Sequence, residues 1–120
     1  MFSERLIDHF KNPRNTGELP PPAVSAGASN PACGDLIRLS ARFADGVVAE
    51  ARYQVKGCAA SIAAGSALTV WMHGKTAEEL AALAPAVIED ALGGLAAESR
   101  HAAVLAVDAV RSLLGSLSSK

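Results

Sequence analysis

The dipeptide Asp45-Gly46 interrupts an alternation of apolar and polar residues on both of its sides, and this constrains the fold more than any other feature. Upstream, from Asp35, the residues Ile37, Leu39, Ala41 and Phe43 alternate with Arg38, Ser40 and Arg42. Downstream, Val47, Ala49, Ala51, Tyr53 and Val55 alternate with Val48, Glu50, Arg52 and Gln54. A period of two puts every second side chain on one face, and Asp-Gly accepts the left-handed backbone of a tight hairpin turn. The expectation is an antiparallel hairpin whose apolar face, carrying the odd-numbered residues, is covered, while the other is wet.

After Gly57-Cys58 the period becomes helical, with Ile62, Leu68 and Trp71 set among small residues up to Gly74. Thr76-Ala77-Glu78-Glu79 is a capping box that opens a second helix, Pro85 starts a third, and Gly93-Gly94 ends it. A last helix is expected from about Ser99, with Ala106, Val110, Leu113 and Leu117 facing the core. At the other end, Ser3 caps a short helix carrying Leu6, Ile7 and Phe10 on one side, and Asn12-Pro13 stops it. Asn15–Asn30, with Pro20-Pro21-Pro22 inside, reads as an extended, mobile loop with a weak edge strand over Pro22–Ala26, and residues 116–120 read as a flexible tail. The order of elements gives an α+β domain spanning 1–120: a small antiparallel sheet, the hairpin plus an edge strand, covered on one face by helices.

Half of the residues are hydrophobic, but aromatics make up 4% and alanine accounts for 25 of 120, so each buried side chain contributes little apolar area. A metal bound only by the folded state would add usefully to so thin a core. The net charge of −1 and the absence of a polybasic run argue against a nucleic-acid partner. Glu4, Arg5 and Asp8 break up the first residues, which speaks against a secretory leader, and no apolar run reaches the length of a membrane span. The expected compartment is the reducing cytoplasm.

Against this scaffold the two cysteines stand out. Cys33 lies in Asn30-Pro31-Ala32-Cys33-Gly34-Asp35 and Cys58 in Lys56-Gly57-Cys58-Ala59-Ala60-Ser61, each at a junction between loop and regular structure. The start of a helix at Cys58 favours the thiolate that binds metal. Asp35 and His101, the latter opening the last helix, add a carboxylate and an imidazole, completing a four-ligand set of the kind zinc accepts. On residue types alone, the bland readings stay open: inert core cysteines, a Cys33–Cys58 disulfide, a capping Asp35 and a solvated His101. His73 reads as a helix-end cation and His9 as a surface residue; neither is assigned to a site.

Four stretches together resemble the IscU family of iron–sulfur cluster assembly scaffolds, also seen as the N-terminal domain of NifU-type proteins. They are Phe2-Ser3-Glu4 through Ile7-Asp8-His9-Phe10 to Asn12-Pro13-Arg14-Asn15; Pro31 to Asp35; Gly57 to Trp71 followed by Gly74-Lys75; and His101 with Val104-Leu105-Ala106 and Asp108-Ala109. The resemblance implies an IscU-like fold and a non-enzymatic function, the assembly and transfer of [2Fe-2S] clusters. It implies Cys33, Cys58 and His101 as cluster ligands and Asp35 as the residue that keeps the cluster labile. The implied partners are a cysteine desulfurase and apo iron–sulfur acceptor proteins. Iron or zinc ions are expected in the same site.

Two positions depart from the family pattern. Ala102 stands where the family carries a third cysteine, a receiver of persulfide sulfur, and Leu95-Ala96-Ala97-Glu98-Ser99 replaces the Leu-Pro-Pro-Val-Lys segment that an Hsp70-type chaperone reads. The resemblance therefore does not carry the chaperone over. The departures motivate an alternative, a non-catalytic zinc-binding or regulatory module on the same fold. A sulfur-transfer enzyme using Cys58 or Cys33 is a third class.

Overall fold

In the computed structural model, which describes residues 2–30 and 34–118, the backbone turns at Asp45 (φ 55°) and Gly46 (φ 82°) as the Asp-Gly pair requires. Strands β2 (Asp35–Ala44) and β3 (Val47–Lys56) pair antiparallel on either side of it. The face assignment holds along β2, except that Ser40 is buried, and over Ala51–Tyr53 of β3, but it fails at Val47–Ala49. A bulge between Arg42 and Phe43 pairs Arg42 with Glu50 but Phe43 with Val48, which leaves Ala49 as the extra residue. One inserted residue reverses the faces beyond it. Val48, expected on the wet side, is therefore buried, whereas Val47 and Ala49 are half-buried.

The edge strand is longer than its sequence suggested. Strand β1 (Val24–Asn30) pairs antiparallel with β2 over seven positions, from Val24 opposite Ala41 to Asn30 opposite Asp35. Upstream, the stretch expected to be a mobile loop is tied down. The Gly17 N–H bonds the Tyr53 carbonyl at 2.9 Å, the Tyr53 N–H bonds the Asn15 carbonyl at 2.9 Å, and the Leu19 N–H bonds the buried Ser40 hydroxyl at 3.0 Å. The sheet order is β1-β2-β3, so the backbone groups of β2 find partners on both edges.

Helices cover one face. Helix α1 (Glu4–Lys11) starts where expected, with the Ser3 hydroxyl accepting from the Leu6 N–H. Of its apolar residues only Leu6 is buried; Ile7 and Phe10 are exposed. The helix lies against α2 (Ala59–Met72) through the edge bearing Leu6 and His9, three residues apart, so Ile7 and Phe10 turn away. His9 is half-buried: its Nδ1 lies 2.7 Å from the buried Ser66 hydroxyl, which also accepts from the Arg14 N–H at 3.0 Å.

Helix α2 is buried nearly all round, touching α1, β3, α5 and α4, and this explains its alanines and Gly65. The Tyr53 ring lies so close that a Cβ on Gly65 would sit 2.4 Å from it, while the Tyr53 hydroxyl donates to the Ile62 carbonyl at 2.8 Å. Helix α3 (Ala77–Ala81) has the expected capping box, and α4 (Pro85–Ala91) begins at Pro85 and ends before the left-handed Gly93 and Gly94. A single 3-10 turn, Ala97–Ser99, then leads into α5 (His101–Ser118), which begins two residues later than expected and runs on through part of the serine-rich tail. Its Ala106, Val110 and Leu113 are buried against β1 and β2; Leu117 is half-buried. No helix among the described residues is long and apolar enough to cross a membrane.

Candidate metal centre

Three elements begin at one end of the molecule, and each contributes a side chain of ligand type at its first position. Asp35 is the first residue of β2, His101 the first of α5, and Cys58 the N-cap of α2. A serine, threonine or aspartate at an N-cap normally folds its side chain back onto the helix backbone, but Cys58 makes no such bond, and its sulfur instead lies among Asp35, Ser61 and His101.

The three ligand atoms lie within 4.8 Å of one another. Cys58 Sγ is 3.3 Å from Asp35 Oδ2 and 3.6 Å from His101 Nε2, and Nε2 is 3.5 Å from Oδ2. Bonds of about 2.0–2.3 Å in a tetrahedron separate neighbouring ligand atoms by about 3.3–3.8 Å. The three atoms thus already outline one face of a tetrahedral metal site. The imidazole is oriented for it: its Nδ1 donates to the Glu98 carbonyl at 3.0 Å, which leaves the Nε2 lone pair toward the thiol and the carboxylate.

Asp35 is the most enclosed of the three, with a side-chain exposure of 7% against 26% for His101, whereas Cys58 is exposed. Burial acts to raise the Asp35 pKa. Hydrogen bonds from Ser61, from the Cys58 thiol and from the Cys58 backbone N–H, together with the nearby His101, outweigh it and hold the carboxyl below its usual range. Two supports of this carboxylate carried no assignment from sequence. The Ser61 hydroxyl, buried in the first turn of α2, donates to Oδ2 at 2.5 Å. Gly57 presents bare backbone, since a Cβ there would lie 2.5 Å from Asp35 Cγ and 2.6 Å from Oδ1. A hydroxyl three residues after Cys58, in the first turn of an alanine-rich helix, was the available signal for Ser61. Nothing local announces the role of Gly57. Cys33, the fourth expected ligand, lies outside the described residues; Ala102 is buried.

The fold and this cluster fit one class of protein, and sequence comparison agrees: the chain belongs to the NifU-like N terminal domain family, matched over residues 1–120. Among its relatives is the iron-sulfur cluster assembly scaffold protein IscU 1 of Archaeoglobus fulgidus, 38% identical over 111 residues that cover 92% of this chain and 72% of that protein. The iron-sulfur cluster assembly scaffold protein IscU of Haemophilus influenzae is 34% identical over 123 residues, covering 99% and 97%. In fold, the chain is similar to the crystal structure of a nitrogen-fixing NifU-like protein (N-terminal) from Brucella abortus, with a TM-score of 0.75 over 98% of this chain and 94% of that one at 24% identity.

Proposed function

We propose that this chain, acting as one IscU-like domain of 120 residues, is a scaffold on which a [2Fe-2S] cluster is assembled and from which it is handed to acceptor proteins. The cluster is its cargo, held by Cys33, Asp35, Cys58 and His101, and the chain performs no catalysis of its own. Family membership supports this reading. The observation that carries it is that Asp35 Oδ2, Cys58 Sγ and His101 Nε2, from three separate elements, sit at separations of 3.3–3.6 Å that suit a shared metal. Cys33, two residues before Asp35, supplies the remaining thiolate. Oxygen ligation by Asp35 grips iron less firmly than thiolate does, as suits a cluster that must leave. In the cytoplasm a cysteine desulfurase provides the sulfur. Without iron and sulfide, the same two thiolates, imidazole and carboxylate hold zinc.

Anaerobic incubation with iron and sulfide tests this. The protein should develop visible sulfur-to-iron charge-transfer absorption, and Cys58→Ser or Cys33→Ser should abolish it. Folded wild-type protein that stays colourless would sink the reading. The buried Ala102, in place of the family's third cysteine, favours one alternative, a zinc-binding module without cluster assembly. That alternative predicts that cluster forms only in Ala102→Cys.

A further inference from the structure

Ser61 occupies an unusual position for a serine in a helix. A hydroxyl there commonly bonds a carbonyl of its own preceding turn. Ser61, 1% exposed, instead reaches across to β2 and donates to Asp35 Oδ2 at 2.5 Å, the same oxygen that faces Cys58 and His101. A carboxylate oxygen has two lone pairs, so Ser61 takes one and leaves the other for the centre of the cluster.

The thiol adds to the argument. Cys58 Sγ lies within reach of both Asp35 Oδ2 (3.3 Å) and Ser61 Oγ (3.5 Å), but it carries one proton and can serve one of them at a time. That proton leaves when the sulfur binds metal. The Ser61 O–H therefore remains to hold the carboxylate in the metal-free and the loaded site alike. Gly57 closes the opposite side of the carboxylate with bare backbone.

We propose that Ser61 is the positioning residue that fixes Asp35 Oδ2 on the metal-facing side and so sets how tightly the site holds its cargo. The inference rests on the metal-site reading above and adds a regulator to it. Ser61 itself does not touch metal.

The test is a double-mutant cycle of wild type, Ser61→Ala, Asp35→Ala and the double variant, each checked for folding by circular dichroism. Zinc affinity is measured by competition with a chromophoric chelator, and cobalt(II) spectra report the coordination number. Ser61→Ala should weaken zinc binding roughly 10–100-fold and alter the cobalt bands. In the Asp35→Ala background the same substitution should change affinity less than about twofold, because its effect passes through the carboxylate. An equal loss in both backgrounds, or no loss in either, overturns the proposal. Cluster formation plays no part in this titration. A coupled cycle in protein that never forms a cluster would overturn only the scaffold reading, and an uncoupled cycle in protein that does form one would overturn only the role of Ser61.

Discussion

Gly57→Ala is the most direct probe of how the site is built. The added Cβ would lie 2.5 Å from Asp35 Cγ, 2.6 Å from Oδ1 and 3.0 Å from Asp35 Cβ. Ordinary carbon contacts need about 3.5 Å, so the carboxylate must retreat by about 1 Å. It has little room for that, because Ser61 holds Oδ2 at 2.5 Å and the Cys58 thiol lies 3.3 Å from the same oxygen. Overpacking of this kind costs about 1–3 kcal/mol, and a strained hydrogen bond to a charged group forfeits part of another 1.5–3 kcal/mol or so. We expect urea unfolding to show a loss of about 2–4 kcal/mol. Metal ligation tolerates only about 0.2 Å of ligand displacement, so zinc affinity should fall at least tenfold. Gly115→Ala, where an added Cβ meets nothing within 4 Å, is the control, and it should stabilise α5 by up to about 1 kcal/mol without touching zinc. A Gly57→Ala protein with wild-type stability and wild-type zinc affinity would refute the claim that bare backbone at Gly57 is what admits Asp35.

Gly65→Ala drives a methyl to 2.4 Å from the Tyr53 ring and should cost about 1–3 kcal/mol in a thermal or urea melt while leaving zinc affinity per folded molecule unchanged. The pH dependence of stability has two limbs. Burial, and next the Arg14 charge, lower the His9 pKa from 6.5, so the native state binds fewer protons than the unfolded chain. The His9 contribution is therefore present above the unfolded value and lost as pH falls below it, and His9→Gln should flatten the stability curve in mildly acidic buffer. For Asp35, burial opposes ionisation, but the Ser61 and Cys58 hydrogen bonds and His101 prevail and lower its pKa. Its contribution is present above about pH 4 and lost as pH falls through the lower folded value, so Asp35→Asn should flatten the acid limb.

Much of this fold was legible because local chemistry and tertiary structure agree. Ser3, Asp45-Gly46, the Thr76 capping box, Pro85 and Gly93-Gly94 each mark a boundary where the structure has one. The failures share a cause, which is that the deciding partner is distant in sequence. Val24-Ser25-Ala26-Gly27-Ala28-Ser29-Asn30 has little strand propensity of its own and becomes β1 through its ladder with β2. The bulge at Ala49 has no glycine to announce it, so the alternation reads straight through a change of face. Spacing puts Ile7 and Phe10 on a side with Leu6, but only the edge of α1 that meets α2 is buried. The site repeats the pattern: Asp35, Cys58 and His101 could be picked by residue type, but Ser61 and Gly57 matter only because β2 begins beside the first turn of α2.

That three ligand atoms, those of Asp35, Cys58 and His101, already stand at tetrahedral separations has a thermodynamic consequence. A site that must be assembled by its metal couples binding to folding, and the apo chain is then partly unfolded. Here Asp35, Cys58 and His101 are held by a core that does not include them, built from Leu39, Tyr53, Leu68, Val110 and Leu113 among others. Zinc should therefore stabilise by mass action alone. At a free concentration a hundredfold above its dissociation constant it adds about 2.7 kcal/mol, which for a chain of this size raises the melting temperature by roughly 10 °C. The urea m-value and the far-ultraviolet dichroism should not change on binding, since no new surface is buried. Asp35→Ala should shift the zinc dependence to higher concentration and leave the metal-free melt close to wild type or somewhat lower. A large zinc-induced gain in helicity or in m-value would mean that the metal organises this end of the molecule, and the preformed tetrahedral face would not describe the protein in solution.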